Sequence, residues 1–244
     1  MTNKNPKQPS PADASNRTRK QLSIWLGLGA VVVLAAVAAL VFSGGDDDSS
    51  STTVPPTVPS TGGGGDGGGG GVAPAESQPV TLTGAPLVPL PESGADPAVG
   101  VKAPGLSGYD FDGNPVVVDP SQGPVMLVFL AHWCPHCNRE APQLMAWKAS
   151  GDVPDGLQVI GVTTAVSSER DHYPPSSWMR DEMKWDWPVL ADSAENEAVV
   201  AFGASGFPFV VVLDTDGTVL SRWSGERGLE GIQESVDAAL ASAA

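Results

Sequence analysis

Val125-Met-Leu-Val-Phe-Leu-Ala-His-Trp-Cys-Pro-His-Cys-Asn-Arg-Glu-Ala-Pro142 decides how the rest of this chain is read. Its first six residues form a continuous apolar run, the pattern of a central strand covered on both faces. Cys134 and Cys137, the only cysteines among 244 residues, follow two residues apart at a strand-to-helix junction. A Cys-x-x-Cys pair closes a loop too small to restrain the unfolded chain much, so a structural staple is a poor account of it. Two lone cysteines at a helix start describe a dithiol that opens and closes reversibly. Disulfide exchange is the leading function.

Outward from this stretch the chain alternates strand and helix signals. Residues 108–118 read as a hairpin about the turn Asp112-Gly113-Asn114. A helix is expected over 135–149, with Ala141, Leu144, Met145 and Lys148 at helical spacing and Pro142 inside it. Residues 157–162 form a second buried strand. A helix over 176–184 follows, with Ser176 or Ser177 as its cap, and then another over 194–202. Strands over 209–213 and 218–223 meet at Asp214-Thr-Asp-Gly217, and an amphipathic helix carrying Leu229, Ile232, Val236 and Leu240 closes the chain. The order predicts an α/β domain over 99–244: a mixed central sheet with helices on both faces.

The first hundred residues cannot build such a core. Residues 1–21 form a basic tail holding Lys4, Lys7, Arg17, Arg19 and Lys20 against Asp13 alone. Residues 22–42 carry no charge, and at 1.5 Å per residue they span about 31 Å of helix, the hydrocarbon thickness of a bilayer. Asp46, Asp47 and Asp48 follow. The positive-inside rule then places the N-terminus in the cytoplasm and the remainder outside a cell membrane crossed once. A cleaved signal peptide is the competing reading, although its apolar region would be shorter. Residues 43–98, rich in Ser, Gly and Pro, read as a disordered linker with a reach of roughly 40 Å, with packing of 80–90 on the domain left open for want of a strong signal. Residues 43–244 carry 8 basic and 27 acidic side chains, a balance that repels nucleic acid.

The pair itself divides into two roles. Cys134 sits where free backbone N–H groups and the positive end of the helix dipole favour a thiolate, so it is the attacking sulfur. Pro135 suits the first helical turn. Cys137, one turn further in, is the resolving thiol. His136 can carry positive charge beside them, and Trp133 covers one side. Two cysteines are too few for a closed zinc site. His132, His136 or His172 could complete a ligand set, so a copper or zinc carrier stands as the rival of another class. A tethered binding module with a disused pair is a third reading. No metal or cofactor is expected. A peroxidase is disfavoured, because no isolated cysteine stands apart from the pair.

Residues 99–244 resemble the membrane-anchored, thioredoxin-fold redoxins of the TlpA/ResA type. The resemblance rests on the quoted stretch, on Ala103-Pro104-Gly-Leu-Ser-Gly with Phe111-Asp-Gly113, and on Gly206-Phe-Pro208 before a strand. It implies a thioredoxin-like fold and a cis Pro208 facing Cys134, with Phe207 shaping a substrate groove. On local sequence alone Pro208 is equally a proline opening a strand. Two departures matter. Classical thioredoxins place a buried aspartate where Val128 stands, and ResA-like proteins place a functional glutamate where Glu140 stands. Glu140 is thus a candidate for tuning the pair and relaying protons, or else a solvated helix face. The Pro-His dipeptide is that of the strongly oxidising DsbA proteins, whereas ResA-like reductases carry Glu-Pro. The resemblance therefore implies a thiol–disulfide oxidoreductase, which the anchor places outside the membrane and which is expected to be a monomer. It would act on exported protein thiols and disulfides and be recycled by a membrane partner. The dipeptide leans to oxidation, and the architecture to reduction of apocytochrome c or other exported thiols.

Overall fold

Six consecutive residues without exposed surface, Val125–Leu130, form the strand β4 around which the domain is built. The computed structural model describes residues 75–243. The expected basic tail, the membrane anchor and the linker up to residue 74 lie outside the described residues. Among the described residues no helix is long and apolar enough to cross a membrane.

In chain order the strands are β1 (Thr81–Thr83), β2 (Gly105–Tyr109), β3 (Pro115–Val117), β4, β5 (Gln158–Thr163), β6 (Val189–Ala191), β7 (Phe209–Leu213) and β8 (Val219–Ser224). The helices are α1 (Pro135–Ser150), α2 (Pro175–Ser177), α3 (Glu197–Ala201) and α4 (Gly228–Ala241). The sheet runs β1-β2-β6-β5-β4-β7-β8, with β3 paired to β2. β4 is parallel to β5 and antiparallel to β7, so the expected mixed sheet is present. This is the thioredoxin-like arrangement.

Because side chains alternate across a strand, β4 feeds two cores. Met126, Val128 and Leu130 pack with Leu144 and Trp147 of α1 and with Ile232 and Val236 of α4. Val125, Leu127 and Phe129 pack on the opposite face with Leu106, Val199 and Phe202. α1 continues through Pro142, and its buried stripe is Cys137, Glu140, Ala141, Leu144 and Trp147. Met145 and Lys148, expected on that stripe, lie half-buried at its margin.

Residues 75–98, read from the sequence as the end of the linker, belong instead to the fold. β1 pairs with β2. The Leu87 and Leu90 amides donate to the carbonyls of Ala201 and Gly203 at 2.8 Å each. Arg222 locks the segment down. Its Nε and Nη2 reach the two carboxylate oxygens of Asp96 at 2.9 and 2.5 Å, and its Nη1 donates to the Val88 and Phe202 carbonyls at 2.9 Å each. Gly203, at φ +72°, admits this close approach: a Cβ there would collide with the Val88 carbonyl.

Two helices differ from expectation. The segment expected as a helix over 176–184 is the single turn α2 continued by a π-helical turn, Trp178–Glu182. Its cap is neither serine. The Ser176 amide and hydroxyl both donate to the Glu76 carboxylate, at 2.8 and 2.6 Å, from 100 residues away. α3 is shorter than 194–202, because Asn196 takes a left-handed φ of 61° and cannot continue a helix backwards.

Candidate active site

β4 ends at Leu130 and the chain turns through Ala131-His132-Trp133 into α1, which sets the two cysteines. Cys134 is the N-cap, with extended backbone (φ −80°, ψ 119°) and no side-chain cap, and Pro135 opens the helix without needing a donor. The turn is held from both ends. Asn138 Nδ2 donates to the His132 and Cys134 carbonyls at 2.9 and 3.0 Å, while its Oδ1 accepts from Trp178 Nε1 at 2.8 Å.

The two sulfurs, both free thiols, are unequally placed. Cys134 is 6% exposed and its Sγ points to the Phe207 carbonyl at 3.6 Å. Cys137 has no exposed surface. Burial pushes the Cys137 thiol far above its ordinary range, and the neighbouring Cys134 and the Glu140 charge push the same way. The Phe207–Pro208 peptide is cis and lies beside Cys134, as does Trp133, whose ring meets Phe207 edge-on at 6.3 Å. Trp133 Nε1 donates to the Ala165 carbonyl at 2.7 Å, and the Arg170 guanidinium stands 5.0 Å from its ring centre.

His132 is buried and fully partnered. Nδ1 lies 2.7 Å from the Asp171 carbonyl, which can only accept, and Nε2 takes the Ser167 amide at 3.2 Å. These partners fix the neutral tautomer protonated at Nδ1, and burial holds the imidazole pKa below its usual value. The residue clasps the loop 165–173 against the site.

Glu140 is not on a solvated face. It is 1% exposed, and its carboxylate accepts from the Arg227 and Gly228 amides at 3.0–3.1 Å, at the first turn of α4. Burial raises its pKa, and those two N–H groups partly oppose the shift. It lies below an open groove of about 520 Å³ that Asn138, Arg139 and Glu226 also line. The Val128 position contributes only apolar surface.

His136 is exposed and belongs to a charged cluster. Arg139 holds both oxygens of the Glu226 carboxylate, Nε at 3.1 Å and Nη2 at 2.6 Å. His136 Nδ1 stands 2.9 Å from Glu226 Oε2 and 2.8 Å from Arg139 Nη2. That nitrogen can donate to the carboxylate or accept from the guanidinium, never both at once. Arg139 first, and His136 after it, hold the Glu226 carboxyl below the usual carboxylate range.

The fold thus brings together Trp133, Cys134, His136, Cys137, Glu140, Phe207 and Pro208. Sequence reasoning missed Asn138, which sits inside the decisive stretch, and Glu226, which carries no local signal. Among the described residues no three His, Cys, Asp or Glu side chains are grouped to hold a metal ion, so His132 and His172 do not complete a ligand set there.

The sequence is 28% identical over 127 residues to the thiol:disulfide interchange protein HelX of Rhodobacter capsulatus. That alignment takes in 52% of this chain and 66% of the relative, just under two thirds of its length. The thioredoxin domain of a thiol-disulfide oxidoreductase from Bacteroides vulgatus gives a TM-score of 0.46 at 24% identity, covering 57% of this chain and 96% of the other. A thiol:disulfide interchange protein of the thioredoxin family from Chlorobium tepidum gives 0.46 at 24% identity, covering 61% and 99%. The AhpC/TSA family model matches residues 99–222, just over half of the 244 residues, and the chain belongs to the AhpC/TSA family.

Proposed function

We propose that this protein is a thiol–disulfide oxidoreductase, tethered outside the cell membrane by residues 22–42, that exchanges disulfides with exported proteins through Cys134 and Cys137. The observation that carries the reading is the unequal burial of the two sulfurs. One borders the surface beside the Phe207 carbonyl, and the other is sealed beneath it.

In the oxidising direction a substrate thiolate attacks Sγ of Cys134 in the Cys134–Cys137 disulfide. The S–S bond breaks, Cys137 leaves as a thiolate and takes up a proton, and a mixed disulfide forms on Cys134. A second substrate thiolate then attacks the substrate sulfur of that mixed disulfide. The substrate departs oxidised and the protein holds two thiols. Reduction of a substrate runs the same steps backwards, with Cys137 giving up its proton before it attacks. Glu140, buried and of raised pKa, is suited to carry that proton. The Phe207 carbonyl, beside Cys134 and next to the cis Pro208, offers an acceptor to a substrate backbone, with Trp133 as the wall of the groove.

The Pro-His dipeptide leans the pair toward oxidation, because positive charge stabilises the reduced thiolate. The second reading is a reductase of apocytochrome c or other exported thiols. The Glu226 carboxylate favours it, since it stands against His136 and opposes that charge.

Cysteine variants test the function. Cys137→Ala should accumulate mixed disulfides with substrate peptides, and Cys134→Ser should form none. If both variants exchange disulfides at the wild-type rate, the reading fails. Equilibration of the pair against glutathione assigns the direction.

A further inference from the structure

Glu226 lies on the turn between β8 and α4, 90 residues from His136 in sequence, yet it touches the dipeptide between the cysteines. We propose that Glu226 is a positioning residue that sets the charge beside Cys134. By holding Arg139 and His136 together with its own negative charge, it draws the reduction potential of the pair below what the Pro-His dipeptide alone would give. The inference rests on the oxidoreductase reading and addresses which way electrons flow.

The geometry carries the argument. The Glu226 carboxylate makes three contacts of 3.1 Å or less, two from Arg139 and one with His136 Nδ1. A cation held this way is paired before any thiolate forms. His136 and Arg139 stand two and five residues after Cys134 in the first turns of the helix that Cys134 caps, so the cluster and that sulfur share one helix start. The other charged groups around the site cannot replace Glu226. Arg227 stacks on the Trp223 ring at 4.6 Å and donates to Ser235, and Arg170 lies over Trp133. Glu140, on the buried face of α1, is sealed against the Arg227 and Gly228 amides, and β4 presents only apolar side chains on that face. Among the described residues Glu226 is therefore the one carboxylate paired to the rim of the pair.

Negative charge near Cys134 disfavours its thiolate, which belongs to the reduced form, so it lowers the tendency to be reduced. Removing it should make the pair more oxidising. An exposed ion pair adds little to folding stability, so the substitution should leave the fold intact.

The test uses the full-length chain in detergent, with Glu226→Gln, Glu226→Asp and Arg139→Gln. Two quantities are read: the equilibrium constant with glutathione, and the rate of iodoacetamide alkylation of Cys134 at pH 6. Glu226→Gln should shift the equilibrium threefold to tenfold toward the dithiol, tenfold being about 30 mV for a two-electron couple. It should also speed alkylation by a similar factor. Glu226→Asp should remain within about twofold of wild type, and Arg139→Gln should move both readouts the opposite way. Active exchange in the wild type with both readouts unmoved in Glu226→Gln, or moved toward the disulfide, overturns this inference alone. A wild type that exchanges nothing with glutathione, while Glu226→Gln still alkylates faster, sinks the oxidoreductase reading and leaves the electrostatic role standing.

Discussion

Arg222→Met should uncouple residues 75–98 from the rest of the domain. The methionine keeps much of the buried volume and removes every donor. Four hydrogen bonds disappear: two to Asp96 and one each to the Val88 and Phe202 carbonyls. The Arg222 side chain has no exposed surface and that of Asp96 only 11%, so the carboxylate left behind has little water to turn to. Removing one partner of a buried ion pair destabilises by about 3–5 kcal/mol. For a domain of this size each kcal/mol corresponds to about 2–4 °C, so the midpoint should fall by about 6–20 °C. Acid adds a second signature. The Arg222 hydrogen bond holds the Asp96 pKa below its ordinary 3.8. A carboxylate with a depressed native pKa contributes stability that is present above the unfolded value and lost as pH falls through the native one. Wild type should therefore lose that contribution below about pH 4, and Arg222→Met should lack that part of the slope. Calorimetry at pH 7 and pH 3 reads both effects. A loss under about 1 kcal/mol at pH 7, the size of an exposed ion pair, would refute the reasoning that Arg222 locks residues 75–98 to the domain.

Further expectations concern the buried polar groups and one glycine. Burial raises the Glu140 pKa, so wild-type stability is fully present below the ordinary 4.5 and declines as pH rises through the native value. Glu140→Gln keeps an acceptor for the α4 amides without the charge, so its midpoint relative to wild type should rise between pH 4 and pH 8; a constant difference counts against a buried charge there. His132 behaves oppositely: its stabilising neutral form is present above the ordinary 6.5 and lost as pH falls through the depressed native value. After correction for intrinsic rates, hydrogen exchange at the Ser167 amide should accelerate on acidification, and unchanged protection from pH 7 to pH 4 would contradict the clasp. Gly203→Ala combines a left-handed backbone with a collision against Val88 and should destabilise by about 2–4 kcal/mol in chemical denaturation, whereas a loss below 1 kcal/mol would mean that the N-terminal segment yields.

What could be read from the sequence was what repeats locally. The apolar run of β4, the Asp-Gly turn before β8 and the stripe of Ile232 and Val236 on α4 each carry a period or a turn residue. The cysteine pair announces its own chemistry. Residues 75–98 escaped because no periodicity records their binding. Prolines spread along them read as linker, and their hold comes from scattered partners: backbone amides, the Glu76 carboxylate, the buried Leu87 and an arginine in β8. The Glu76 cap of α2 and the Glu226 cluster fail for the same reason, since each joins residues about 90–100 positions apart. Glu140 was ambiguous, because an acid on a helix reads as solvated until the helix packed above it is known. Trp147 was missed on α1 because the expected stripe drifted one residue toward Met145 and Lys148.

The Asp96–Arg222 lock also orders events in time. Its partners are 126 residues apart, and contacts of such separation form only after intervening loops have closed. The lock on the first part of the domain to be synthesised therefore waits for nearly the last. A growing chain that ends before residue 222 can pair β4 with β5 and β7 and β1 with β2, yet it leaves Asp96 and the Val88 carbonyl without the guanidinium that holds them. Synthesis of β8 is thus registered near the start of the domain, and proteolysis between Val88 and Asp96 should be faster in a chain that ends before residue 222 than in one that includes it.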